Sequence, residues 1–173
     1  MAERAPSETT NLDRYGDDVL EWRRARDALA AEPRRDITHF LGTSRPDGTP
    51  HAAGVGAQWF DGDLYFTSSP GARKARDLAA NPRCTIAVRL PGIDLVLDGT
   101  AARVTDPPTL EEVAAGYRAA GWPAHVEGDA FTAPFNAPSA GPPPWHLYRF
   151  TFHTVVGVAT EEPYGATRWR FDG

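Results

Sequence analysis

Thr67, Ser68, Ser69, Arg73, Lys74 and Arg76 lie close together across a Pro70-Gly71 turn. Hydroxyls, free backbone N–H groups at a helix start and clustered cations together suit a phosphate. The stretch that carries them, YFTSSPGARKARDLAANPRCTIAV over residues 65–88, reads as strand, turn, short helix, strand. Lys74 is the only lysine among eighteen basic residues. A chain that otherwise uses arginine for positive charge places its one ammonium at its best anion-binding candidate. The plain structural alternative is a solvated basic helix face capped by Ser69.

Other reactive residue types offer less. The five histidines, His39, His51, His125, His146 and His153, show no His-x-x-x-His or cysteine spacing, so no metal site is predicted. Two of them on neighbouring strands meeting in space is the remaining route to a metal or haem role. There is no Gly-x-Ser-x-Gly elbow, P-loop or dinucleotide fingerprint. Cys84 is the only cysteine and sits in a strand pattern, where a small core residue is the ordinary role. No catalytic side chain is therefore assigned. If the protein is an enzyme, a bound cofactor carries the chemistry.

The elements that must position the phosphate candidate follow from the pattern. Residues 1–12 are polar and read as a disordered tail. A helix is predicted over 15–32, with Val19, Trp22, Ala25, Ala28 and Leu29 on its apolar face, ended by Glu32-Pro33. Residues 36–44 read as a strand, Arg45–Thr49 as a Pro-Asp-Gly turn and 50–60 as the returning strand. Asp61-Gly62-Asp63 is a second hairpin turn, leading into a strand over 64–67. The strand over 50–60 holds almost no bulk from His51 to Ala57. Glycines in a strand mark a bulge, a close helix contact or the close approach of a ligand.

Strands are predicted over 83–90 and 93–104, the latter bending at Gly99. A helix from Asp106 to about Ala119 carries Leu110, Val113, Ala114 and Tyr117. Residues 121–145 are irregular and proline-rich, and their Phe131, Phe135 and Trp145 predict a packed arm over about 131–145 rather than a linker. Strands follow over 146–152, 154–159 and 167–171. Few helices and strands in hairpins predict a mainly β (α+β) fold: one antiparallel barrel over residues 13–173 with peripheral helices.

Composition narrows the function classes. A net charge of −5 argues against a general binder of nucleic acid or membrane surfaces. No apolar run is long enough for a spanning helix. The N-terminal eighteen residues lack the apolar core of a secretory signal. A cytoplasmic protein is the expectation.

The arrangement resembles the pyridoxamine 5′-phosphate oxidase-like superfamily. The resemblance rests on Arg45-Pro46-Asp47-Gly48, on Trp59-Phe60-Asp61-Gly62-Asp63-Leu64-Tyr65-Phe66-Thr67, on Gly71-Ala72-Arg73-Lys74-Ala75-Arg76-Asp77-Leu78 and on Asn81-Pro82-Arg83. It covers about residues 36–105 well. It implies an FMN-binding type of split β-barrel, a homodimer with the cofactor at its interface, and FMN or a deazaflavin of the coenzyme F-420 type as cofactor. By resemblance, Arg73 and Lys74 match the phosphate-binding pair, and Thr67 and Ser68 the hydroxyl contacts. Gly54, Val55, Gly56, Ala57 and Gln58 match the backbone along the ring system.

Trp59, Phe135 and Trp145 are expected to shape a substrate pocket. The implied activity is hydride transfer to or from a small organic substrate. The alternative is a non-catalytic flavin- or haem-binding protein for sensing, storage or transfer. Two departures are visible. The chain ends Ala166-Thr167-Arg168-Trp169-Arg170-Phe171, without the Arg-x-His that grips substrate in pyridoxamine phosphate oxidation. The arginine of the ring-side strand is absent from residues 54–57 as well. Oxidation of pyridoxamine phosphate is therefore not the expected reaction.

Overall fold

Glycine and proline punctuation breaks the chain into short antiparallel strands. The computed structural model describes residues 4–31, 36–136 and 140–172. The first half runs β1 (Glu8–Asn11), α1 (Trp22–Ala30), β2 (His39–Ser44), β3 (Pro50–Val55), β4 (Gln58–Phe60), β5 (Asp63–Ser68) and α2 (Arg73–Ala80). The second half runs β6 (Arg83–Leu90), β7 (Ile93–Val104), α3 (Pro107–Ala119), β8 (His125–Glu127), β9 (Ala130–Thr132), β10 (His146–Ala159) and β11 (Ala166–Arg170). None of the described helices is long and apolar enough to cross a membrane.

The main sheet runs β3-β2-β6-β7-β10-β5-β4. Because β3 runs on into β4, the order closes on itself. Every ladder is antiparallel. β10 organises the closure. One edge pairs with β7 along almost its whole length. The other pairs with β5 through His146–Phe150, then with β11 through Thr154–Val158. The change of partner straddles a bulge between Phe152 and Thr154. Gly99 lies opposite this bulge, where a Cβ would stand 2.2 Å from the Thr151 carbonyl oxygen. Only glycine fits so close a backbone approach. The fold is thus a mainly β split barrel with peripheral helices, and the predicted break at residue 153 is a bulge within one long strand.

The barrel interior holds Leu41, Phe66, Ile86, Leu97, Phe150 and Phe152, all fully buried. Each such side chain contributes about 1.5–3 kcal/mol of burial. α1 closes one side through Trp22, whose ring meets those of Phe152, Trp169 and Phe171 at 5.8, 5.5 and 4.7 Å. α3 builds a second cluster from Leu110, Val113 and Tyr117 against Tyr65, Phe131 and Leu147.

Four local readings are corrected. Residues 8–11 are not disordered: Glu8–Asn11 pair with Thr167–Arg170 as β1. The segment is held there by backbone pairing and by Arg4, whose guanidinium bonds buried Asp63 at 3.0 Å and the Phe152 carbonyl at 2.7 Å. Residues 1–3 lie outside the described residues.

The first helix begins at Trp22, not Tyr15. Asp13 Oδ2 accepts from the N–H groups of Tyr15, Gly16 and Asp17 at 2.7–2.9 Å, and this turn competes with the helix. Val19 is consequently exposed. The predicted stop at Glu32-Pro33 lies outside the described residues.

The strand over 50–60 is two strands that pair with different neighbours, β3 with β2 and β4 with β5. Residues 125–132, read as irregular, form the β8–β9 hairpin. Trp145 joins that hairpin through paired backbone bonds with Phe131, and both side chains are fully buried.

Candidate functional site

α2 sits against the β2–β3 hairpin. Ala75, Asp77 and Leu78 face inward. The carboxylate of Asp77 is fully buried and accepts the Thr43 hydroxyl at 2.9 Å. His51 Nδ1 lies 3.8 Å from the same carboxylate. These contacts fix the helix whose first turn presents Arg73 and Lys74.

That helix start is open. Its N-cap is Ala72, and no side chain caps it. Ser69, the expected cap, instead accepts the Ala72 N–H through its carbonyl at 3.1 Å. Lys74 is half-buried, and burial pushes its ammonium below the ordinary value. No acid pairs with it among the described residues. A cation drawn out of water without a partner is a standing cost that an anion would relieve.

Thr67 and Ser68 end β5 beside this turn. Ser68 is buried, and its hydroxyl donates to the Ser69 carbonyl at 3.1 Å. Thr67 is half-buried, and no hydrogen bond occupies its hydroxyl among the described residues. Of the two, Thr67 is the one with a free group to offer.

β3 supplies a bare surface. Its outward positions are Ala52 and Gly54, followed by Gly56 beyond the strand end. A Cβ at Gly56 would meet nothing within 4 Å, and one at Gly54 would meet only the Thr38 methyl at 3.2 Å. Val55 points the other way, into the core. Beyond β2, β3 has no ladder partner among the described residues, so its second edge leaves N–H and C=O groups free. Ala57 and Gln58 follow where the chain changes partner. There the buried Tyr117 hydroxyl lies 2.9 Å from the Gly56 carbonyl and 3.2 Å from that of Tyr65. Burial raises its pKa.

The three residues expected to shape a substrate pocket are not brought together. Trp59 stacks on Phe152 at 6.1 Å in the barrel core. Trp145 packs on Trp122 at 5.6 Å beside α3. Phe135 is exposed. Gly56, Ala57, Gln58 and Trp59 instead line a cavity of about 320 Å³, together with residues of α1 and α3. His39, which the sequence offered only for a metal or haem role, is also in that lining.

His39 and His51, on neighbouring strands, do not face each other in the ladder. His39 pairs with Val55, and His51 with Thr43, at opposite ends of the β2–β3 ladder. No group of three potential metal ligands occurs among the described residues. Burial pushes the Cys84 thiol up to about 12, which removes it as a nucleophile near neutral pH.

A family model, pyridoxamine 5′-phosphate oxidase, matches residues 25–159. No curated protein matches the chain. Solved structures share the fold at low identity. An F420 reductase is 22% identical over 75% of this chain and 94% of its own, with a TM-score of 0.51. A FAD-binding protein from Mesorhizobium loti is 20% identical over 86% and 94%, with a TM-score of 0.53. A heme binding protein from Mycobacterium smegmatis is 19% identical over 80% of this chain and 54% of its own, with a TM-score of 0.54.

Proposed function

The chain belongs to the pyridoxamine 5′-phosphate oxidase family, and from that premise we propose that it is an oxidoreductase binding FMN or a deazaflavin of the F-420 type. The observation that carries the reading is Lys74: a half-buried ammonium with no acid partner among the described residues, on the first turn of an uncapped helix. A phosphate there receives N–H groups from the helix start and charge from Arg73 and Lys74. Thr67 adds a hydroxyl. The face of Ala52, Gly54 and Gly56 accepts a planar ring system without steric conflict, and the free edge of β3 offers it backbone donors and acceptors.

When bound, such a cofactor supplies hydride transfer, to or from a small organic substrate. The protein's part is to anchor the phosphate, orient the ring along residues 54–58 and exclude water. Tyr117, by bonding at the Gly56 carbonyl, holds the switch between β3 and β4 in place.

A homodimer is part of the reading. One row across the outer face runs Gly54, Phe40, Ala87, Val96 and Val156 through successive ladders. Phe40 is 55% exposed and Val96 47%. A contiguous apolar row on a sheet face suits burial against a second copy. Gly54 would put the cofactor at that interface. Phe40→Asp combined with Val96→Asp is expected to yield a monomer by sedimentation, and a dimer that survives both changes removes this surface from the interface.

The test of function is optical. FMN and coenzyme F-420 are titrated separately into purified protein. Binding of one is expected with a Kd below about 100 μM, roughly −5.5 kcal/mol. Failure of both defeats the reading. Binding without reoxidation of the reduced form by any acceptor makes the protein a cofactor holder instead.

A further inference from the structure

Between α2 and the β2–β3 hairpin, side chains from three elements meet: Asp77 of α2, Thr43 of β2 and His51 of β3. The Asp77 carboxylate is fully buried. Its Oδ2 accepts the Thr43 hydroxyl at 2.9 Å, and its Oδ1 has no hydrogen-bond partner among the described residues. His51 Nδ1 is buried and equally without a partner, 3.8 Å from Oδ2. That distance is too long for a hydrogen bond. A buried carboxylate with one hydroxyl and an unpaired oxygen is short of a proton or a cation. His51 can supply it: one proton on its ring turns the contact into an imidazolium–carboxylate pair.

The surroundings decide whether that proton stays. Asp77 apart, the charged residues of α2 are Arg73, Lys74 and Arg76, all cations. β3 holds no other titratable side chain, and the one on β2, His39, lies at the far end of the ladder. In the hairpin turn, Arg45 adds a further cation, and the Asp47 carboxylate is exposed and accepts the Thr49 N–H at 2.9 Å. The cations of α2 therefore oppose a positive imidazole. An anion at the helix start cancels that opposition. The benefit runs both ways. Lys74 and Asp77 are three residues apart and so are neighbours on the helix surface. An unneutralised Asp77 carboxylate repels an anion at Lys74, and a protonated His51 removes that repulsion.

We propose that an anion is held at the start of α2 together with one proton on the His51–Asp77 pair, so that the site loads more tightly as pH falls. The inference rests on the reading of α2 as the cofactor's phosphate anchor and adds its regulation. The proton comes from solvent and adds to the His51 ring, and no bond forms to the anion. Thr43 and Asp77 act as positioning groups for the imidazole. Because linkage is reciprocal, a bound anion raises the affinity of the pair for its proton by the same factor.

The test is NMR of the full-length protein with labelled histidine, using inorganic sulfate as the probe. Sulfate keeps its double charge between about pH 5 and pH 8, the range in which histidine titrates. Chloride at matched ionic strength is the reference. Sulfate is expected to shift the amide signals of Arg73 and Lys74. It should raise the titration midpoint of His51 by about 0.7 pH unit, or roughly fivefold, the lower end of the usual coupling between two sites. The exposed His125 and His153 should not follow. His51→Gln stays polar but does not titrate, so it should bind sulfate equally at about pH 6 and pH 8, where the unaltered protein differs roughly fivefold. If that variant does not fold, the His51 midpoint in the unaltered protein decides. Sulfate that shifts Arg73 and Lys74 but leaves the His51 midpoint in place overturns the linkage and leaves the anchor reading standing. Sulfate that shifts neither overturns both. An equal rise at His125 and His153 reduces the effect to bulk screening and overturns the linkage.

Discussion

The start of α2 and the cavity behind the β3–β4 switch are built in opposite ways. At α2 the groups are consecutive in sequence, charged and open to solvent on one side. In the cavity they come from distant segments, lie beside α1 and α3, and carry no charge among the described residues. The first arrangement suits an anion held by charge and backbone donors. The second leaves two buried polar atoms without a hydrogen-bond partner. The difference teaches that each region's chemistry is set by what is left unpaired. At α2 it is the Lys74 ammonium, and in the cavity it is the His39 ring nitrogen and the Gln58 carbonyl oxygen.

The sharpest way to separate them is Lys74→Ala. Loss of a charged hydrogen-bond donor should weaken cofactor binding by roughly 1.5–3 kcal/mol, measured by titration. Thermal stability should hold or rise slightly, because a half-buried ammonium with no partner among the described residues is removed. A variant that unfolds, or that binds cofactor normally, makes Lys74 structural or solvated and dissolves the contrast.

Tyr117 is where the two regions touch. Its hydroxyl serves the Gly56 carbonyl, and its ring lines the cavity. Tyr117→Phe takes this hydroxyl away from the Gly56 carbonyl and from the buried Tyr65 carbonyl and should cost about 1–2 kcal/mol in denaturant unfolding. If the switch couples the regions, cofactor affinity falls as well. Lost stability at unchanged cofactor affinity shows that the two regions are mechanically independent.

The α2 region was legible because its information is local. A turn signal, a basic pair and strand-end hydroxyls fall within one short run, and the helix formed at residues 73–80 as the pattern predicts. Most barrel strands were legible for the same reason, through alternation and turn residues. The Ala-Gly-Gly outer face of residues 52, 54 and 56 was visible as missing bulk.

The cavity was not legible. His39 reads as one histidine in a strand, and nothing local says that α1, α3 and the β6–β7 turn converge on it. Tyr117 lay on a correctly predicted apolar stripe, yet the reach of its hydroxyl to Gly56 is a long-range fact. β1 escaped notice because Glu-Thr-Thr-Asn has no apolar alternation and its pairing with β11 rests on backbone groups.

His39 gives a pH signature that α2 lacks. Its folded pKa of about 4 lies below the ordinary 6.5. The unfolded chain therefore takes up the proton first as pH falls. The stabilising difference is complete above about pH 6.5 and is lost progressively towards pH 4. Between pH 7 and pH 5 this one group should cost about 1–2 kcal/mol of stability. His39→Leu should flatten that part of the stability profile, read by urea unfolding at both values. An unchanged slope means that His39 is solvated and that the cavity is more open than its lining suggests.

Thr67→Val asks the smallest question, and asks it of the α2 side alone. The substitution keeps the β-branched shape that suits a strand end and removes only the hydroxyl. That hydroxyl has no partner within the described protein, so the fold should lose almost nothing. Ser68 is different, because its hydroxyl already bonds the Ser69 carbonyl. If Thr67 contacts the phosphate, its loss should weaken cofactor binding by about 0.5–1.5 kcal/mol, while Ser68→Ala should act mainly on stability. The reverse pattern would assign the contact to Ser68. It would then require the turn over residues 68–71 to rearrange when the anion binds.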